Sequence, residues 1–104
     1  GVLERLLLAA HEGALQAGIT LQKGILIDLA LHMASTLIMR EESGALREMA
    51  FHAASELTPE MASAGKSMAS LMSEVLGRSL ESWEETYLAV YAGASLMRLG
   101  EDTP

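Results

Sequence analysis

The stretch Leu21–Arg40, LQKGILIDLALHMASTLIMR, decides how the rest of the chain folds. On a helix it is apolar on nearly every face. Leu21, Ile25 and Leu29 make one row, Leu26, Met33 and Leu37 a second, and Ile27, Leu31, Ala34 and Ile38 a third. A helix apolar all round belongs in the middle of a bundle or in an interface between chains. The run from Gly24 to Met39 also contains Asp28 and His32 and is shorter than the ~20 apolar residues needed to cross a bilayer, so no membrane span is expected. Asp28 and His32 stand one helical turn apart on a shared face. Desolvating an unpaired charge costs on the order of several kcal/mol, which makes this pair the first place to seek a site.

Around the central stretch, 104 residues suffice for one hydrophobic core, and a single domain spanning residues 1–104 is expected. Ala, Leu, Met, Glu and Ser dominate, with two prolines and few aromatic or β-branched residues, a balance that favours helix over sheet. The expected class is all-α, a compact five-helix bundle. A net charge of -7 opposes the phosphate backbone, and the seven Lys and Arg residues are scattered, so direct nucleic-acid binding is not expected. The absence of cysteine excludes disulfides, thiol catalysis and thiolate metal sites. The first residues, GVLERLLLAAHEG, lack the basic start and cleavage site of a signal peptide, and the expectation is an unexported, cytoplasmic protein.

Upstream, Val2, Leu3, Leu6, Leu7, Ala10, Ala14 and Ala17 recur at helical spacing and predict an amphipathic first helix over 2–17. Gly18 should end it in a left-handed cap and Thr20 should cap the next start, a short turn that predicts antiparallel packing of the first two helices. Downstream, polarity returns at Arg40–Ser43 and Gly44 is expected to close the central helix. A third helix is predicted over 45–57, with Leu46, Met49, Ala50, Ala53 and Leu57 inward. Thr58-Pro59-Glu60 is a strong restart signal, opening a fourth helix that Gly77 stops. Ser82-Trp83-Glu84-Glu85 reads as a capping box that starts a fifth helix. Its inward stripe is Trp83, Tyr87, Val90, Tyr91 and Ala94, and Gly100 is expected to close it.

His32 beside Asp28 has two readings. It is a histidine held for phosphoryl acceptance, proton transfer or metal ligation, or the pair is purely structural. His11-Glu12 and His52-Glu56 are weaker metal candidates, because a di-metal carboxylate bundle needs Glu-x-x-His pairs and none occurs. No metal and no cofactor are expected. With no Gly-rich phosphate loop, Ser/His/Asp arrangement or catalytic acid pair in view, the chain is not expected to be an enzyme.

Two segments resemble the motifs of a known family. ILIDLALHMASTLIMR followed by EESG is similar to an aliphatic helix with a histidine, small residues, an arginine about two turns on, and a glycine. LESWEETYLAVY, residues 80–91, is similar to a second motif in which a leucine and acids precede a helix carrying an aromatic, an aliphatic, an alanine, an aliphatic and then histidine. The family is the PRD modules, regulatory domains of transcriptional antiterminators and activators governed by the sugar phosphotransferase system. The resemblance implies a PRD-like five-helix fold. It implies that His32 accepts a phosphoryl group from the phosphocarrier protein or a sugar permease component, supported by Asp28 and Arg40, and that the module acts as a homodimer through its first and second helices. Arg40 falls one residue late, the residue before the histidine is Leu31 rather than an acid, and the second histidine position holds Tyr91. A single switch is therefore expected. The competing readings are a structural dimerisation or adaptor module in which the histidines are incidental, and a metal-dependent enzyme using His11, His32 and His52.

Overall fold

Five helices, α1 (Val2–Gln16), α2 (Lys23–Met33), α3 (Gly44–Ala53), α4 (Pro59–Leu76) and α5 (Ser82–Asp102), follow one another in the chain. The computed structural model describes residues 1–35 and 44–102, with side chains as far as residue 96. With no strand among the described residues, the architecture is the all-α five-helix bundle that the composition predicts. The radius of gyration, 12.7 Å, matches the ~13 Å of a folded chain of about this length.

Local chemistry sets most helix ends. Gly18, at φ +81°, turns the chain after α1, and Gly77, at φ +72°, caps α4; both take the left-handed conformation that costs a residue with a Cβ about 1–2 kcal/mol. The Thr58 hydroxyl accepts the Met61 N–H at 3.1 Å and Pro59 occupies the first turn of α4, as its sequence predicts. Four boundaries differ from the sequence expectation. α2 begins at Lys23 after Gln22, not at a Thr20 cap, because the Gln22 N–H is given instead to the buried Ser95 hydroxyl on α5 at 3.3 Å. The third helix, expected over 45–57, is α-helical only as far as Ala53 and passes at Ala54–Glu56 into a single 3-10 turn. The reciprocal cap of α5 sits one residue earlier than Ser82. The Glu81 carbonyl accepts the Glu84 and Glu85 N–H groups, while the Glu84 carboxylate accepts the Glu81 N–H at 2.9 Å. Arg78 lies 3.5 Å from that same carboxylate, which holds Glu84 in place at 5 % exposure. Finally, α5 runs through Gly100 to Asp102.

The core is built from small and flexible side chains: Leu6, Ala10, Ala14, Leu29, Met33, Ala64, Met68, Met72 and Ala92 are essentially inaccessible. Small residues let helices approach closely, and methionine fills the irregular gaps that remain. α1 packs chiefly on α4 and touches α2 only slightly, so the short turn at Gly18 does not make α1 and α2 close antiparallel partners. α4 in turn packs on α5, and α3 covers the opposite side of α5. A Cβ at Gly13 would lie 2.5 Å from the Met68 Cα, and one at Gly65 would lie 2.7 Å from the Glu85 carbonyl oxygen.

The central stretch is less enclosed than its composition predicts. In α2 only the row Ile25, Leu29, Met33 is buried; Ile27 is 53 % and Leu31 68 % exposed. Residues 36–43, which include Arg40 and the predicted end of that helix, lie outside the described residues. Met49, expected inward on α3, is partly open at 39 % exposure. Among the described residues no helix is long and apolar enough to cross a membrane.

The Gly13 contact makes a direct prediction. Gly13→Ala gains about 1 kcal/mol of helix propensity but forces backbone against backbone, an overpacking cost of roughly 1–3 kcal/mol. Denaturant titration should show a net loss of stability of about 1–2 kcal/mol, whereas Gly44→Ala, with open space around it, should change stability by less than about 0.5 kcal/mol.

Candidate functional site

α5 carries Tyr87 and Tyr91 one turn apart, so the two phenols project from the same side of the helix. The Tyr87 hydroxyl donates a hydrogen bond to the Tyr91 oxygen at 3.0 Å, and the rings meet edge to face with centroids 5.0 Å apart. The last turn of α2 places His32 against both: its ring lies 5.4 Å from Tyr87 at 73° and 5.8 Å from Tyr91 at 61°. Two anchors hold α2 in this position, the buried row Ile25, Leu29, Met33 and the bond from Gln22 to Ser95. The result is a closed triangle of three rings drawn from opposite ends of the sequence.

His32 is half-buried and Asp28, one turn earlier, is exposed. The pair is therefore not a buried charge pair in a core. Asp28 stands at the rim of the ring cluster, near enough for its carboxylate to oppose ionisation of both tyrosines. Burial is the larger cause and pushes both phenols above their usual range; for Tyr87 the hydrogen bond that it donates adds to the rise, while for Tyr91 the same bond works the other way. Both hydroxyls consequently remain protonated across the physiological range. A hollow of about 200 Å³ opens at the cluster, walled by Leu46 and Met49 of α3 and by Tyr87, Tyr91 and Ala94 of α5, with His32 at its edge. Among the described residues that line it, the side-chain N and O atoms come from His32 and the two tyrosines.

His32, Tyr91 and Asp28 are thus gathered in one place, and Arg40 falls outside the described residues. The sequence reading counted Tyr87 as one more member of an inward stripe and missed its contact with His32. The only available signal was the four-residue spacing of the two tyrosines in the chain.

The other histidines lie apart. His52 is exposed on α3, 4.0 Å from Glu48 rather than beside Glu56, with its ring against Phe51. His11, on α1, has its Nδ1 enclosed with no hydrogen-bond partner among the described residues. No three His, Cys, Asp or Glu side chains gather to hold a metal ion among the described residues. A larger hollow of about 540 Å³ lies between Leu57, Met61, Gly93 and Leu96. It shares Val90 and Ala94 with the His32 site but is apolar inside, with Glu56 and Glu60 among its lining and no histidine or nucleophile paired with a base. Although it is the bigger cavity, the group chemistry sits at His32. Comparison of the chain with protein-family models, with curated proteins and with solved structures finds no match in any of the three.

The ring cluster sets a pH limit on the fold. The chain has two tyrosines, so the rise in absorbance at 295 nm with pH reads these two phenols above the constant Trp83 background. The native protein should show less tyrosinate at pH 10 than two free phenols, which are about half ionised there. Since the unfolded chain releases these protons near pH 10 and the folded chain only higher, stability is unaffected below that point and falls as pH rises above it. Tyr87→Phe, Tyr91→Phe should flatten this alkaline loss.

Proposed function

We propose that the chain is a non-enzymatic, PRD-like regulatory module that senses phosphorylation at His32. The observation that carries the reading is the meeting of His32 and Tyr91. These are the two positions that the motif resemblance marks as regulatory, they lie far apart in the sequence, and their rings are 5.8 Å apart in the fold. A resemblance resting on unrelated residues gives no reason for such a convergence. On this reading the donor is a phosphohistidine of the cytoplasmic phosphotransferase system, on the phosphocarrier protein or a permease component.

The physical consequence is electrostatic. A phosphoryl group brings about −1.5 to −2 charges next to Asp28, within a chain whose net charge is already -7. Like charges disfavour any packing that closes over the site. α2 also exposes Ile27 and Leu31 beside the switch, a row that a partner helix would cover in a homodimer. Phosphorylation then acts by shifting that association, and the regulated domain or partner is the one that reads the change. The same exposed row is what favours the second reading, a structural dimerisation module with an incidental histidine.

One experiment separates the two. Incubation with labelled phosphoenolpyruvate and the general phosphotransferase proteins should introduce one acid-labile phosphoryl group per chain. His32→Ala should abolish it while His11→Ala and His52→Ala leave it unchanged. Light scattering before and after labelling should show a changed oligomeric state. Absence of label, or full label on the His32 variant, rejects the phosphorylation reading and leaves a constitutive dimer to be tested.

A further inference from the structure

We propose that the hollow of about 540 Å³ where the end of α3, the start of α4 and the later turns of α5 meet binds a small amphipathic cation, an aliphatic body ending in an ammonium group. The site is separate from His32 and does not depend on the phosphorylation reading.

The space itself is the first observation. α3 brings Ala53 to the junction, and α5 brings Gly93 and Ala94, so small side chains on two elements leave it unfilled. Gly93 lets the Met61 methyl of α4 seat against α5, since a Cβ there would collide with that methyl and stand 3.0 Å from the sulfur. An unbranched thioether has three rotatable bonds and polarisable sulfur, which makes Met61 a wall that reshapes around an occupant. Leu57, Val90 and Leu96 continue the apolar lining. The volume falls within the roughly 300–1,000 Å³ of small-molecule sites, which are mostly apolar with a few polar groups that fix orientation.

The sign of those polar groups is the second observation. Among the described residues that line the hollow, the charged side chains are Glu56 and Glu60, both exposed and therefore at its mouth. Glu56 ends the 3-10 turn after α3 and Glu60 lies in the first turn of α4, so the pair straddles the Thr58-Pro59 junction. Neither carboxylate has an ion-pair or hydrogen-bond partner among the described residues, whereas Glu81 and Glu84 are paired with Arg47 and Arg78. Two unpaired carboxylates at the mouth favour a cation and disfavour an anion. A bare metal ion would leave the apolar walls without a contact, and no ligand set for one gathers among the described residues. An ammonium on an aliphatic body meets both features at once: the body displaces water from the walls, and the head stays at the mouth beside the acids.

This division of labour gives two separate signatures, and n-octylammonium, 1-octanol and octanoate, three probes with chains of the same length, read them below their aggregation limits. The full chain carries ¹³C-methyl methionine, and the Met61 resonance is identified by its loss in Met61→Leu. Octylammonium should shift Met61 saturably while Met72, buried in the core about three turns further along α4, stays in place. Lengthening the probe from hexylammonium should tighten binding about four-fold for each added methylene. Glu56→Gln, Glu60→Gln, two changes at exposed positions, should weaken octylammonium about three- to ten-fold and leave octanol within about two-fold. Circular dichroism checks that the variant is folded. Should it not fold, wild type decides alone: octanoate must bind more weakly than octylammonium by at least the same factor, and equal binding overturns the proposal. It is also overturned by the absence of a saturable Met61 shift, by Met61 and Met72 moving together as a detergent would move them, or by unchanged octylammonium affinity in the folded double variant.

Discussion

The contact on which the other placements depend is the crossing of α1 over α4 at Gly13, where the absent side chain lets the Met68 backbone come within 2.5 Å of where a Cβ would stand, inside van der Waals contact. One turn along α4, Gly65 receives α5 in the same way, against Glu85 and Ala89. α4 is thus gripped on two sides at backbone distance, and its rotation and height leave little freedom to either neighbour. That constraint reaches the site. At 100° per residue, Tyr87 and Tyr91 each lie two residues, or about 200°, from Ala89, so fixing Ala89 on α4 turns both phenols to the far side of α5, toward α2 and α3. The ring cluster is a geometric consequence of a glycine on another helix.

α2 is held differently. Among the described residues, one buried row, the His32 ring contacts and one hydrogen bond at its start attach it to the rest, while Ile27 and Leu31 stay exposed. Elements with few buried apolar contacts are the ones that shift at low cost. The arrangement puts the imidazole on the helix with an exposed apolar row and its aromatic wall on α5, which packs on both α3 and α4. A charge introduced between them acts on the weaker attachment first. On the proposed reading this is a useful division, because the helix that moves is also the one that exposes Ile27 and Leu31.

How much of this was legible in the chain depends on the range of the forces involved. Gly18, Gly77 and the Thr58-Pro59 start act through their own backbone and were readable from a few residues. The α5 cap was readable only to within one position, because Glu84 and Glu85 both offer a carboxylate at nearly the right spacing. The choice was made by Trp83 and Arg47, which both engage the Glu81 carboxylate, at 2.8 and 3.3 Å, and by Arg78, which approaches Glu84. Thr20 failed as a cap for a similar reason, since a distant hydroxyl, Ser95, competed for the backbone at Gln22. Partner choice among helices was not legible at all. Apolar rows say that a face is covered and not by what, so α2 looked central when α4 holds the centre, and the proximity of His32 to Tyr87 could not be inferred from either helix alone.

The substitution of phenol for imidazole at position 91 carries a chemical argument about how many switches the proposed module has. An imidazole in its neutral form offers an unshared pair on nitrogen while keeping its other N–H. A phenol is a comparable nucleophile only as phenolate, and burial with Asp28 nearby holds Tyr91 well away from that form. On the proposed reading Tyr91 is therefore no second phosphoryl acceptor. A site with two acceptors records two inputs, while a site with one acceptor records one. On the proposed reading, the position that meets the His32 ring holds a phenol in place of a second imidazole, and the signal is limited to a single phosphoryl group.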